Sequence, residues 1–155
     1  MKLRQIAGHH YTILAVLDPV AGDPVLATLR DAEQFHRRLF EQMMAVLSRH
    51  APTFGPPFAE ERHGIARAKR LDQGISELIA RNEEPSRRQR RKQPADERSL
   101  GLRIFFFEYG RDIVCTNACY KTSRTPDGAL AAALRIRDDY LAAVARGKIE
   151  ILEGD

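Results

Sequence analysis

LRIFFFEYGRDIVCTNACYK, residues 102–121, is the stretch that decides the fold. Two runs of aliphatic, β-branched and aromatic residues flank a short polar segment that contains Gly110, a residue suited to the positive φ of a tight turn. We therefore predict a β-hairpin. Because side chains alternate along a strand, Arg103, Phe105 and Phe107 should share one face of the first strand. The residues between them should face the other way.

Cations surround the end of this hairpin. Arg103 lies in its first strand, Lys121 ends its second strand, and Arg124 lies in the turn that follows. An alanine-rich helix is predicted at 127–146, with an apolar stripe at helical spacing. Cations grouped near one end of a small sheet, without an acidic cluster beside them, suit an anionic ligand better than a metal. Phosphate is the leading candidate.

The rest of the chain predicts an α+β domain. A first strand is expected at 11–17 and a second at 75–81, and the helical pattern of 24–50 predicts one bent helix or two helices broken near Asp31. Residues 148–152 suit either a short final strand or an ordered tail. Helices that are segregated from an antiparallel hairpin are typical of the α+β class.

Composition limits the classes of protein that fit. A chain of 155 residues with a net charge of +4 is expected to form a single domain, 1–155, and its positive charge weakly favours a polyanionic or acidic partner. No apolar run approaches the roughly 20 residues that cross a bilayer, and the N-terminus lacks a signal-peptide pattern. We therefore expect no membrane association.

The two cysteines are predicted to be reduced packing residues. Cys115 and Cys119 lie four positions apart on one predicted strand, so their Cα atoms should be about 13 Å apart, too far for a disulfide. A zinc site would need further ligands at suitable spacing, and none follows. The sequence therefore predicts a cytoplasmic protein without a metal or other cofactor.

Residues 82–99 form a compositional break. They contain no apolar residue larger than alanine or proline, so burial cannot offset the entropy of ordering them, and we predict a mobile insertion between two strands. Five cations fall within six positions. One interpretation is an electrostatic arm that binds RNA phosphates, and the other is a solvated linker balanced by neighbouring carboxylates. These cations are Arg87, Arg88, Arg90, Arg91 and Lys92.

Three strings carry a resemblance to a known family. KRLDQGISEL at 69–78, LRIFF at 102–106 and YKTSRTP at 120–126 are similar, in order and spacing, to strings of the HigB/RelE toxins of bacterial toxin–antitoxin systems, especially the phage-derived HigB-like branch. The resemblance implies a small RelE-like domain. In that domain an N-terminal strand and helices pack on an antiparallel sheet with a C-terminal helix.

The resemblance also implies an activity. Such toxins are metal-independent endoribonucleases that cleave mRNA, commonly on the ribosome, and a cognate helix-turn-helix antitoxin neutralises them. The ribose 2′-hydroxyl attacks the adjacent phosphate and leaves a 2′,3′-cyclic phosphate. The protein must supply a general base, a general acid and stabilisation of the negative charge on phosphorus.

The family pattern suggests roles for individual residues. Arg103 matches the strand arginine and is predicted to bind the scissile phosphate through its guanidinium fork. Lys121 matches the first lysine of the turn, where it would bind phosphate or transfer a proton, and Arg124 stands in place of a family lysine. Tyr120 is a candidate to stack on a base or to donate a proton, although it should face the opposite side of the sheet to Lys121.

Two departures from the family pattern affect these roles. Ile79 stands where the strand usually has arginine, and Thr122 stands where a second lysine is common. Catalysis is then either weakened or moved onto Arg81, Lys69 and His63, of which Arg81 and Lys69 are our candidate RNA-binding residues.

The same departures keep other functions open. The alternative is a non-catalytic RelE-like module that binds RNA or a protein. A third hypothesis is a regulatory domain whose hairpin edge pairs with another chain.

Overall fold

The computed structural model describes residues 1–18, 22–55, 66–81, 100–121 and 127–153. In these ranges, seven strands form one sheet. The strands are β1 (Lys2–Gly8), β2 (Thr12–Leu17), β3 (Ala66–Arg70), β4 (Ser76–Arg81), β5 (Gly101–Tyr109), β6 (Asp112–Lys121) and β7 (Glu150–Leu152).

The helices cluster in two parts of the chain. The first part lies between β2 and β3 and the second part follows β6, while a short 3-10 turn lies between β3 and β4. The helical segments are α1 (Pro24–Phe35), α2 (Arg37–Ala45), a π-helical turn (Val46–His50), α3 (Ala51–Phe54), a short 3-10 turn (Asp72–Gly74) and α4 (Asp127–Ala145).

The sheet is mixed, which corrects the expectation of a wholly antiparallel sheet. Its strand order is β3-β4-β5-β6-β2-β1-β7. The β2–β6 and β1–β7 pairs are parallel, and the other pairs are antiparallel. A parallel pair needs a long connection, and the helices and strands between β2 and β6 supply it.

Helices cover the sheet on opposite faces. Helices α1 and α2 pack on the first, here called the α1/α2 face, and α4 packs on the second, the α4 face. Alternation along β5 divides the core as predicted, with Phe105 and Phe107 on the α4 face. The main buried residues of the α1/α2 face are Ile13, Ala15, Val25, Leu29, Leu39, Met43, Leu78, Leu102, Ile104 and Phe106.

The boundaries of α1 and α2 follow local backbone chemistry. Asp23 precedes α1 in an extended conformation, and Pro24 occupies the first turn, where no amide donor is needed. The predicted break near Asp31 lies instead at His36, whose φ of −140° and ψ of 56° interrupt the helix. The break lets the apolar sides of both helices face the same sheet.

Two strands were absent from the sequence-based prediction. Strand β1 carries exposed Lys2 and half-buried Arg4 between its apolar residues, and β3 consists of two alanines and three cations. β3 is an edge strand and β1 lies next to the edge, so neither has the strong apolar pattern of a central strand. The tail at 148–152 does form a strand, β7, which pairs with β1.

The two cysteines are free thiols, as predicted. Cys115 is buried, and burial raises the pKa of its thiol to about 12, which leaves it unreactive at neutral pH. Cys119 is partly buried among the side chains of the α4 face. Among the described residues, no helix is long and apolar enough to cross a membrane.

Candidate functional site

One corner of the α4 face gathers charged side chains from three adjacent strands. Lys69 of β3 lies opposite Glu77 of β4, and Arg103 of β5 lies opposite Ile79. Arg81, at the end of β4, is one register step further along the same face. We call Lys69, Glu77, Arg81 and Arg103 the cationic corner. It contains three cations and one carboxylate.

The centre of the cationic corner is a buried ion pair. Arg103 Nη1 donates to Glu77 Oε1 at 2.7 Å, and the two side chains are 6% and 0% exposed. Burying two charges is costly, and removing one partner of such a pair typically destabilises a protein by about 3–5 kcal/mol. Glu77 therefore neutralises the charge of the arginine that the sequence singles out for phosphate binding.

The other two cations of the corner are exposed. Lys69 lies directly across the β3–β4 ladder from Glu77, and the Cβ atoms of such a pair are about 5 Å apart. Arg81 is a diagonal neighbour of Arg103, because Arg81 pairs with Gly101 and Arg103 pairs with Ile79. Both are accessible to a solvent-borne anion.

Tyr120 lies on the other side of the sheet, as its alternation with Lys121 predicts. Its hydroxyl donates to Asp31 Oδ2 at 2.7 Å, and its ring contacts the His36 ring edge-on at 5.1 Å between centroids. Partial burial, and then the Asp31 carboxylate, raise the pKa of the Tyr120 phenol. The structure therefore does not bring Tyr120 together with Arg103.

Helix α4 begins beside the cationic corner. Asn117 of β6 donates from Nδ2 to the carbonyl oxygen of Ala129 at 3.1 Å, and Ala133 is fully buried against the sheet. The small side chain at 133 lets the helix approach the strands closely. Asn117 also pairs in register with Phe105, so the bond fixes the first turns of α4 next to the rows that hold Glu77 and Arg103.

The remaining predicted residues are outside the described part of the chain or only partly described. Lys121 is the register partner of Gly101, which places its backbone in the row of Arg81. Arg124, His63 and the basic run 87–92 lie outside the described residues. Strand β3 begins, and strands β4 and β6 end, at the same end of the sheet, and of the cationic corner Arg81 lies at that end.

Sequence reasoning missed the pairing of Glu77 with Arg103. The available signal was a single carboxylate in an otherwise apolar strand, ISELIA at 75–80, because a buried carboxylate needs a cation or several hydrogen bonds. Asp31 and His36 were missed as neighbours of Tyr120, since no local pattern links α1 to β6. Within the described ranges, no group of three or more histidine, cysteine or acidic side chains could hold a metal ion.

Neither a protein-family model, nor a curated protein, nor a solved structure matches this chain.

Proposed function

We propose that this protein is a toxin-type endoribonuclease that cleaves mRNA on the ribosome, in the cytoplasm, and that a cognate helix-turn-helix antitoxin neutralises it. The observation that carries the proposal is the cationic corner. Three neighbouring strands contribute Lys69, Arg81 and Arg103 to one face of the sheet. Cations fixed on a rigid sheet suit a phosphodiester backbone.

The positions of the three strings support a RelE-like fold within this proposal. KRLDQGISEL spans β3 and β4, LRIFF lies in β5, and YKTSRTP begins at the end of β6. These four strands are consecutive neighbours in the sheet. Strings that are separated by up to 23 residues along the chain therefore belong to one surface. Two strands and a helical region precede these strings and one long helix follows them, an order that supports, with one additional strand, the arrangement that the resemblance implies.

In the proposed reaction, the ribose 2′-oxygen attacks phosphorus and the bond to the 5′-oxygen breaks. A base removes the proton of the 2′-hydroxyl, and an acid protonates the leaving 5′-oxygen, which yields a 2′,3′-cyclic phosphate and a 5′-hydroxyl. Arg103 and Arg124 are assigned to the charge that develops on the phosphate oxygens. Lys121 is assigned to phosphate binding or to proton transfer. The proposed chemistry uses no metal ion.

One observation favours the second candidate, a RelE-like module that binds RNA or a protein without cleavage. Arg103 is paired with a buried carboxylate, and its register neighbour on β4 is Ile79 rather than a cation. A corner with less free positive charge at its centre still attracts a polyanion through Lys69 and Arg81. It stabilises a phosphorane less well, because charge stabilisation needs donors aimed at the reacting phosphate.

Expression in a bacterial host tests the proposal. Wild-type protein should arrest growth and produce mRNA fragments that end in 2′,3′-cyclic phosphate. Arg103→Ala, Lys121→Ala and Arg124→Ala should each abolish both effects, whereas Arg70→Ala should not, because Arg70 is an exposed β3 residue outside the corner. Thermal unfolding of each variant separates lost chemistry from lost folding.

Three results would decide between the candidates. Wild-type protein that neither arrests growth nor cuts mRNA rejects the nuclease. RNA binding without cleavage products identifies the non-catalytic module. If wild-type protein is active and all three cation variants are equally active, the site assignment is rejected. Other residues would then carry the activity.

A further inference from the structure

We propose that Glu77 is a positioning residue that controls the access of RNA phosphate to Arg103, with Lys69 as its second partner. In the free protein Glu77 holds Arg103. When a phosphate binds Arg103, Glu77 pairs with Lys69 instead. This inference rests on the proposed function, because it assumes that RNA binds at the cationic corner.

The first argument is the pair itself. The 2.7 Å contact joins the most buried cation of the corner to its one carboxylate, which is fully buried. A phosphate that approaches Arg103 therefore meets a competing anion that already occupies the guanidinium. Binding therefore requires the phosphate to replace the Glu77 carboxylate on the Arg103 guanidinium. The free energy of this exchange depends on which group the displaced carboxylate then pairs with.

The second argument is the position of Lys69. It lies directly opposite Glu77 in the β3–β4 ladder, it is exposed, and its long side chain has the reach and freedom to turn towards its neighbour. A second cation at this position means that Glu77 keeps an ionic partner after Arg103 leaves it. A buried carboxylate without such a partner would strongly oppose the exchange, because its charge would be left uncompensated.

The third argument is the route by which phosphate arrives. Arg81 is exposed and lies diagonally next to Arg103 at the open end of the sheet. An incoming phosphate is attracted first by Arg81, and the long side chain of Arg103 then turns towards the same sheet end. All four charged side chains of the corner then have a partner of opposite charge. Arg103 and Arg81 bind the phosphate, and Lys69 pairs with Glu77.

Binding of a non-cleavable probe tests the exchange. The probe is a short single-stranded RNA with every 2′-hydroxyl methylated, which prevents attack on the phosphate. Glu77→Gln keeps an oxygen that accepts from Arg103 but removes the competing charge, and should tighten binding by about fivefold or more. Glu108→Gln is the matched control, since it removes an exposed carboxylate near the opposite end of β5 and should change binding little.

A double-mutant cycle tests whether Lys69 acts as a second partner of Glu77 or only contacts the phosphate directly. Lys69→Met should weaken binding by about fivefold or more in the wild-type background, and more than Arg70→Met, its neighbour on β3. In the Glu77→Gln background the effect of Lys69→Met should be clearly smaller, because only the direct attraction of Lys69 for RNA remains and there is no longer a carboxylate to compensate. An equal loss in both backgrounds would overturn the role of Lys69 as a partner for Glu77.

NMR of the arginine side chains gives a readout that does not depend on a variant. In wild-type protein, the guanidinium signals of Arg103 should shift when the probe RNA is added, and unchanged signals with bound RNA would overturn the exchange. If the probe binds neither wild-type protein nor any variant, the proposed RNA function fails and this inference fails with it. If wild-type protein binds while Glu77→Gln behaves like Glu108→Gln, this inference alone fails.

Discussion

The Tyr120 hydroxyl donates a 2.7 Å hydrogen bond to Asp31 Oδ2 and thereby ties β6 to α1. The bond joins residues that are 89 positions apart in the chain. His36, at the break between α1 and α2, contacts the same tyrosine ring. Tyr120, which the sequence suggests as an RNA contact, therefore links the sheet to the helical layer through its hydroxyl and its ring.

This bond predicts a measurable contribution to stability. Tyr120→Phe removes the hydroxyl but keeps the ring contact with His36, so it should lower the free energy of unfolding by about 1 kcal/mol in urea titrations. Asp31→Asn should have a similar or smaller effect, because the amide oxygen still accepts. Tyr109→Phe, at an exposed tyrosine, is the control. A loss for Tyr109→Phe as large as for Tyr120→Phe would contradict the assignment.

Alkaline pH should weaken the fold through two tyrosines. Desolvation raises the pKa of Tyr120 and of Tyr140 above the ordinary value of 10.0, with Asp31 adding to the first shift and Asp112 and Tyr109 to the second. A pKa that is raised in the folded state means that the fold favours the neutral phenol. This contribution to stability is complete below pH 10. It is lost progressively as the pH rises through the pKa values of the two tyrosines in the folded protein. The free energy of unfolding should therefore fall above pH 10.

Tyrosinate absorbance provides the check on this pH dependence. Of the four tyrosines, Tyr120 and Tyr140 should titrate at higher pH than an unperturbed phenol. Tyr120→Phe should remove one late-titrating group and flatten the alkaline loss of stability. Uniform titration of all tyrosines near pH 10 would refute the prediction.

Gly55 should be the glycine least tolerant of substitution among those that the structure describes. It has a φ of +64°, and a Cβ atom there would overlap the ring of Tyr11. Gly55→Ala combines backbone strain with a steric clash and should cost more than about 2 kcal/mol of stability. Gly110→Ala, at φ +60° in open space, should cost only about 1 kcal/mol. Equal losses at both positions, measured by thermal unfolding, would show that the ring contact is unimportant.

The sequence predicted the elements whose patterns are strong. The hairpin of β5 and β6 follows from dense apolar alternation around Gly110, and α4 follows from its alanine content and apolar stripe. Strand β3 lacked such a signal because three of its five residues are cations at a sheet edge. The parallel β2–β6 pair could not be predicted, since it depends on contacts between distant segments rather than on local pattern.

The site was predicted as a set of residues but not as a set of contacts. Alternation along the strands predicted that Arg103 shares a face with Phe105 and Phe107, and the structure confirms this face. Alternation also predicted that Tyr120 faces away from that side of the sheet, and its bond to Asp31 confirms this orientation. The Glu77–Arg103 bond required the register between β4 and β5, which no single strand encodes. Register follows from the packing of whole faces, and so it appears only once the sheet is assembled.

The basic run predicts a steep salt dependence of RNA binding. Replacing Arg87, Arg88, Arg90, Arg91 and Lys92 by serine should reduce the slope of log affinity against log salt by up to about 3.5, if each cation releases counterions from one phosphate of a single strand. The measurement is a binding isotherm at several salt concentrations. An unchanged slope would support the interpretation of 82–99 as a solvated linker.

Replacing both members of the buried ion pair separates stability from function. Glu77→Leu or Arg103→Met alone leaves one buried charge without its partner and should cost about 3–5 kcal/mol of stability, whereas the double variant should be close to wild type or more stable. Chemical denaturation of the three variants gives these values. If the double variant folds well but no longer binds RNA, binding explains why a costly ion pair occupies this strand pair. The opposite result is a double variant whose loss of stability equals the sum of the losses in the two single variants. The pair would then be a structural requirement of the β4–β5 register. The proposed phosphate role of Arg103 would lose its main physical support.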